Sequence, residues 1–251
     1  MRIVSRTLAT ALLFLGAAHI GWAQTVEEVI NKSLAASGGR AALLKVKSRA
    51  MTGTITLATP AGEVVGSVEI LNAAPNKLRT MVKADLSALG AGQLVQEQRF
   101  DGTTGYMLDT LQGNRDITGN QLDNLRNGSF PSPYLNYKEL GITATLSGKE
   151  RVGDREAYIL LFEPTTGSVV RQFIDAETYL PIRSVVKIDV PQLGREVEIT
   201  TDLLDYRDVD GVKVPFLLKT SSAIQNYTIT LAKVEHNVPI DDKLFAKPAA
   251  P

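Results

Sequence analysis

The sequence predicts a mainly β domain built on a curved antiparallel sheet of about ten strands, and three observations predict it. From Ser48 almost to the end, apolar residues recur with a period of two, the spacing that puts alternate side chains on opposite faces of a strand. Turn signals punctuate these runs at Asp101-Gly102, Gly153-Asp154, Thr165-Thr166-Gly167, Asp175-Ala176-Glu177 and Asp210-Gly211, as short hairpin connections require. No low-complexity linker or shift in composition divides the 251 residues. An open sheet of this size curls as strand twist accumulates, so its concave face has to be filled by its own side chains, by helices or by a ligand.

The elements follow in order. Residues 1–23 have the pattern of a cleaved signal peptide: Arg2 and Arg6, an apolar run from Leu8 to Ile20, and small residues at Gly21 and Ala23. The run is too short for a comfortable membrane span, and removing it leaves residues 24–251 as one domain with an excess of two acidic residues. Thr25 to Ser37 reads as an amphipathic helix, with Thr25 and Glu28 at capping-box spacing, Val26, Val29, Ile30 and Leu34 on one face, and Gly38-Gly39 as the stop. A short turn of helix, Arg40 to Val46, follows.

Ser48–Leu57 alternates Met51, Ile55 and Leu57 with Thr52, Thr54 and Thr56. Glu63–Leu71 answers it after Pro60-Ala61-Gly62, with Val64, Val68 and Ile70 opposite Glu63, Ser67 and Glu69, which makes a hairpin. Thr118 to Asn127 breaks the pattern: Thr118 and Gln121 have capping-box spacing, and Phe130-Pro131-Ser132-Pro133-Tyr134 follows. Such a segment is either a flap over the sheet or a connection packed on its edge. Ala157–Phe162 is apolar on both faces and belongs to a layer covered on both sides. Arg183–Val190 and Val212–Thr220 alternate again, with Pro215 marking an edge or bulge.

The composition excludes most familiar chemistry. The chain has no Cys and two His, with 27 Lys+Arg against 27 Asp+Glu. Disulfides, thiolate zinc sites and thiol nucleophiles are therefore absent, and no basic cluster marks a nucleic-acid surface. Outside residues 1–23 the one imidazole is His236, at a strand end with no Gly-x-Ser-x-Gly elbow to serve. Asp208-Val209-Asp210-Gly211 looks like part of a calcium loop but lacks the later acidic ligands, so it reads as a tight turn. Glu196 and Glu198 alternate with Val197 and Ile199, as a solvated outer face does. Neither a metal, a cofactor nor a catalytic residue is expected; the positive signal is the 44% hydrophobic content.

Several segments resemble the periplasmic lipoprotein-sorting carriers, the LolA/LolB-like family. Gly62-Glu63-Val64-Val65-Gly66-Ser67-Val68-Glu69-Ile70 with Ala74-Pro75-Asn76-Lys77-Leu78-Arg79 resembles that family's second and third strands. Asp101-Gly102-Thr103-Thr104-Gly105-Tyr106 is similar to its Asp-Gly turn and aromatic strand. Phe162 to Gly167, Arg171 to Asp175 and Leu180-Pro181-Ile182 resemble its late meander, and Lys243 to Pro248 its closing Phe-x-x-Pro.

The resemblance implies an incomplete β-barrel whose concave face, closed by helices, shelters acyl chains between membranes. It implies a periplasmic, non-enzymatic, monomeric carrier of lipid or lipoprotein acyl chains, with envelope transport proteins as partners and only transient membrane contact. On the early strands the resemblance places around the cavity, the expected lining is Val68, Ile70, Leu78, Met81, Phe100, Tyr106 and Leu108. Ala74 stands where the shuttle has a basic residue before its Pro-Asn, so a phospholipid or glycolipid is as open as a lipoprotein. The rival is a ligand-free envelope scaffold or stress-sensing module of the same fold.

Overall fold

The computed structural model describes residues 24–190 and 194–249; the expected signal peptide lies outside them. Helices α1 (Val26–Ala36) and α2 (Arg40–Lys45) precede six strands: β1 (Ser48–Thr59), β2 (Gly62–Ala73), β3 (Lys77–Asp85), β4 (Gln93–Phe100), β5 (Gly105–Asp109) and β6 (Arg115–Ile117). Helix α3 (Gly119–Arg126) leads to seven more: β7 (Thr143–Val152), β8 (Arg155–Glu163), β9 (Val170–Asp175), β10 (Pro181–Val190), β11 (Arg195–Val209), β12 (Val212–Ser222) and β13 (Asn226–His236).

All thirteen strands form one antiparallel sheet in the order β6-β5-β4-β3-β2-β1-β13-β12-β11-β10-β9-β8-β7. Two meanders, β1 to β6 and β7 to β13, are thus joined where β1 pairs with β13, and β6 and β7 remain as unpaired edges. The incomplete barrel implied by the family resemblance is present, with three more strands than the periodicity indicates. Among those carrying little alternation are the three-residue β6 and the mostly polar β4, Gln93-Leu94-Val95-Gln96-Glu97-Gln98-Arg99-Phe100.

Helix α1 begins as its sequence dictates. The Thr25 hydroxyl accepts from the Glu28 amide at 3.2 Å and the Glu28 carboxylate accepts from the Thr25 amide at 3.0 Å, satisfying two of the amides a helix start leaves open. At its other end the Lys213 amide donates to the Ser37 carbonyl at 3.0 Å. Strand β12 pairs with β13 only from Leu217 to Thr220, so Val212–Phe216 is locally an edge. That is why Pro215, which has no amide hydrogen, is accommodated there.

The inner face of the sheet is filled at one end. Val29, Ile30, Leu34 and Leu43 of the two helices pack in one buried cluster with Ile55, Leu57, Val68, Phe216, Ile229 and Leu231 of the sheet. Residues 130–142 continue this filling. Tyr134 stacks on Phe162 with ring centroids 5.5 Å apart, and Tyr137 meets the same ring edge-on at 5.7 Å.

Candidate ligand-binding cavity

Strand register decides which side chains can reach the concavity. Beginning from Ile55 and Leu57, which are in the inner cluster, the pairing of β1 with β2 puts Val64, Gly66, Val68 and Ile70 on the inner face. The pairing of β2 with β3 and of β3 with β4 carries this to Leu78, Thr80 and Val82 and then to Phe100, Gln98 and Gln96. From there β5 and β6 present Met107, Arg115 and Ile117 inward.

The lining expected from sequence therefore divides. Val68, Ile70, Leu78 and Phe100 are on the inner face. Met81, Tyr106 and Leu108 are on the outer face: Met81 pairs with Glu97, which also pairs with Leu108, and Tyr106 pairs with Arg99. The physical reason is parity. Tyr106, Met107 and Leu108 are three apolar residues in succession, so composition alone cannot tell which of them points inward, and a shift of one residue exchanges the faces. Of the four inner residues, Val68 belongs to the packed end, whereas Leu78, backed by the fully buried Phe100, borders open space.

That open space lies around α3. The helix crosses the mouth of the curved sheet and is tied at both ends. Asn120 Nδ2 donates to Asp189 Oδ2 at 2.9 Å, Gln121 Nε2 to the Asp189 carbonyl at 3.0 Å, and Asn124 to Ser168 Oγ at 3.1 Å. Beyond its other end, the Arg126 guanidinium donates to the Thr103 carbonyl at 3.1 Å and the Phe130 amide to the Pro75 carbonyl at 2.8 Å. The capping expected of Thr118 is absent: Gln121, expected to complete the box, reaches across to β10 instead.

Four cavities border this strut; one of about 370 Å³, between Asn120, Arg171, Lys187, Glu196 and Glu198, lies toward the outer face, and the other three face the concavity. The largest, about 500 Å³, has an apolar wall of Met107, Ile117, Leu125, Ile188, Val190 and Ile224. A second of about 300 Å³ lies between Tyr134, Ile142, Phe162, Val170, Val186 and Ile188. A third of about 270 Å³ is bounded by Leu78, Phe100, Leu125 and Phe130. Asn124 borders all three and Ile188 the first two. These volumes fall in or near the range of small-molecule sites. Val186, Ile188 and Val190 are one face of an alternating strand in the sequence, whereas the family resemblance points to the early strands.

His236 Nε2 accepts from Arg49 Nε at 2.9 Å, which places its proton on Nδ1, 3.5 Å from Asp210 Oδ2. Burial and the neighbouring Arg49 push the imidazole below its ordinary pKa and keep it neutral. Asp208 Oδ1 accepts from the Gly211 amide at 2.9 Å, closing the tight β11–β12 turn. Glu196 and Glu198 pair across the outer face with Asp189 and Lys187. Among the described residues no group of three or more His, Asp or Glu could hold a metal ion.

The outer face carries one buried charge cluster. Arg79 bonds Glu69 and Glu97, and Arg99 donates to Glu97 at 3.0 Å and to the Ala246 carbonyl at 3.1 Å, holding the C-terminal segment against the sheet. Burial raises the Glu97 carboxyl, but hydrogen bonds from Arg99 and Arg79 outweigh it and hold the group below the usual carboxylate range. A depressed folded pKa stabilises above the unfolded value, about 4.3, and that stability is lost as pH falls through the folded value. Glu97→Gln is accordingly expected to cost about 1–2 kcal/mol at pH 7 and much less at pH 3, measured by urea unfolding at both. An equal cost at the two pH values contradicts the assignment.

No family model matches the chain, and no curated protein matches it. Among solved structures the chain is similar to a LolA superfamily protein from Nitrosomonas europaea, with 14% identity and a TM-score of 0.55 over 90% of this chain and 99% of that one. It is similar also to a DUF1329 family protein from Desulfovibrio piger, at 13% identity and a TM-score of 0.56, covering 89% and 98% of the two chains. A Vibrio parahaemolyticus structure described as an outer membrane lipoprotein-sorting protein domain matches at 11% identity and a TM-score of 0.51, covering 88% and 95%. At these identities the likeness is one of architecture, and the architecture of this chain is the LolA-like incomplete barrel.

Proposed function

We propose that this protein is an exported, non-enzymatic carrier that binds an amphiphile by burying its acyl part on the concave face of the sheet. The observation that carries the reading is that the apolar interior is left unfilled around α3, where about 500 Å³ borders Ile188, Val190, Met107 and Leu125. A scaffold that used this surface only for its own packing would have no reason to leave it open, because an empty apolar cavity forfeits contacts that a closed core makes.

The energy is sufficient. Each methylene taken from water contributes about 0.8 kcal/mol, so ten of them contribute on the order of 8 kcal/mol before ordering costs, without any ionic contact. Leu78 and Phe100 are assigned to the lining, together with Ile188, Val190 and Met107. The fold likeness to a lipoprotein-sorting domain supports transport of lipid or lipoprotein within the envelope, and the described residues contain no helix long and apolar enough to cross a membrane.

Native mass spectrometry of the protein purified from the cell envelope, followed by organic extraction, tests the reading. Co-purifying lipid, or saturable binding of a fluorescent acyl probe to the stripped protein, is the expected result. Protein that is lipid-free and binds no acyl probe overturns the carrier reading in favour of a ligand-free module.

A further inference from the structure

We propose that the largest cavity selects an amphiphile with an anionic headgroup, and that Arg115 is the residue that binds the anion. The inference rests on the carrier reading and names the class of cargo. The cavity has two chemically different walls. Opposite Ile188, Val190 and Leu125 stand Gln96, Gln98, Gln112 and Arg115: β4 turns Gln96 and Gln98 inward and β6 turns Arg115 inward beside Met107, with Gln112 on the turn between β5 and β6. A pocket meant only for hydrocarbon gains nothing from this wall, since polar groups facing an acyl chain lose water without a partner.

Arg115 is half-buried and, among the described residues, has no salt-bridge partner and donates no side-chain hydrogen bond. No Asp or Glu borders the cavity. Against the effect of burial, the Arg115 charge helps hold the Asp109 carboxyl below its ordinary pKa, but that carboxylate makes its hydrogen bonds elsewhere: it accepts from the Leu111 amide at 2.8 Å, the Gln112 amide at 2.9 Å and Gln96 Nε2 at 2.9 Å. The side-chain amides of Gln98 and Gln112 are likewise uncommitted among the described residues, and each can donate to an oxyanion. A guanidinium with a planar fork of donors and two free amides, beside an Asp109 carboxylate that is held by three other hydrogen bonds, are the elements of a carboxylate or phosphate site. The apolar wall beside it takes the chain attached to that anion.

The test uses displacement of a fluorescent acyl probe from the stripped protein by three amphiphiles of equal chain length: palmitate, palmitoyl-lysophosphatidylglycerol and monopalmitoylglycerol. At least one anion is expected to displace the probe at about one-tenth the concentration required of monopalmitoylglycerol, the scale of a charge-assisted hydrogen-bonded contact. Advantage for palmitate alone identifies a carboxylate site, and for the lysophospholipid alone a phosphate site; either supports the proposal. Arg115→Gln, a substitution of a side chain with no internal partner, should bring the compounds within about twofold of one another with monopalmitoylglycerol unchanged, and Arg115→Lys should keep part of the preference. Equal displacement by all three compounds, or a preference that survives Arg115→Gln, overturns the headgroup assignment while leaving the carrier reading intact. Failure of all three to displace, or of the probe to bind, removes the carrier reading itself.

Discussion

Replacing Ile188 with glutamate is expected to weaken acyl-probe binding by about 100-fold or more while shifting the thermal unfolding midpoint by only a few degrees. Ile188 borders both the 500 Å³ and the 300 Å³ cavities, so a carboxylate there stands where the hydrocarbon has to lie. A carboxylate at 188 either is desolvated under the acyl chain, at several kcal/mol, or draws on the Arg115 guanidinium across the cavity that the ligand would use, whereas 100-fold in affinity needs about 2.7 kcal/mol. The unliganded fold has no such penalty, because the side chain is only half-buried and the carboxylate stays hydrated in the open cavity. The neighbouring Lys187 is exposed and points to the other face of β10, so Lys187→Gln should leave binding unchanged. Retained binding in Ile188→Glu, measured by probe titration, would place the ligand elsewhere.

The largest loss of stability expected from a single methyl group is at Gly38. Its φ of +118° is in a region that side-chain-bearing residues avoid, and a Cβ there would lie 2.2 Å from the Gly211 carbonyl oxygen and 3.1 Å from Val212 Cα. Both obstacles are backbone and cannot rotate away. Gly38→Ala thus either strains the turn or lifts the end of α1 off β12, breaking the Lys213–Ser37 hydrogen bond and loosening Leu34 in the core. A cost of about 3 kcal/mol or more follows from adding backbone strain to a lost contact. Gly39 is the control: its φ is +87° but nothing lies within 4 Å of the added carbon, so Gly39→Ala should cost only about 1–2 kcal/mol. Urea unfolding of the two variants separates close approach from conformation, and equal costs would refute the docking argument.

What could be read from the sequence follows the strength of the local pattern. The α1 capping box, the β1–β2 hairpin and the inward set Val64, Val68 and Ile70 were legible because each rests on a periodicity or cap that short-range chemistry enforces. The faces of β4 and β5 were not. Strand β4 has polar residues on both sides, since its outer ones join the Arg79–Glu97–Arg99 cluster under the C-terminal segment and its inner ones border the cavity. Alternation vanishes when both faces have reasons to be polar. For the same reason Arg115, in a three-residue strand between turns, carried no signal: its meaning depends on Ile188, far along the chain and brought opposite it by curvature. The mid-chain helix was readable, but its function as a strut was not, because Asn120, Gln121 and Asn124 look like ordinary solvated positions until their partners in the β8–β9 loop and on β10 are in place.

The junction of β1 with β13 has a consequence for how the chain must be made. Arg49 pairs with His236 and Ala58 with Asn226, so the central seam of the sheet unites segments more than 160 residues apart in the chain. A chain emerging from its N-terminus can pair β1 with β2 and zip that meander locally, yet the second edge of β1 stays bare until residue 236 has appeared. Contacts of such long sequence separation are slow to form, and an exposed edge strand invites pairing with other chains meanwhile. The topology thereby keeps the sheet incomplete until β13 has emerged.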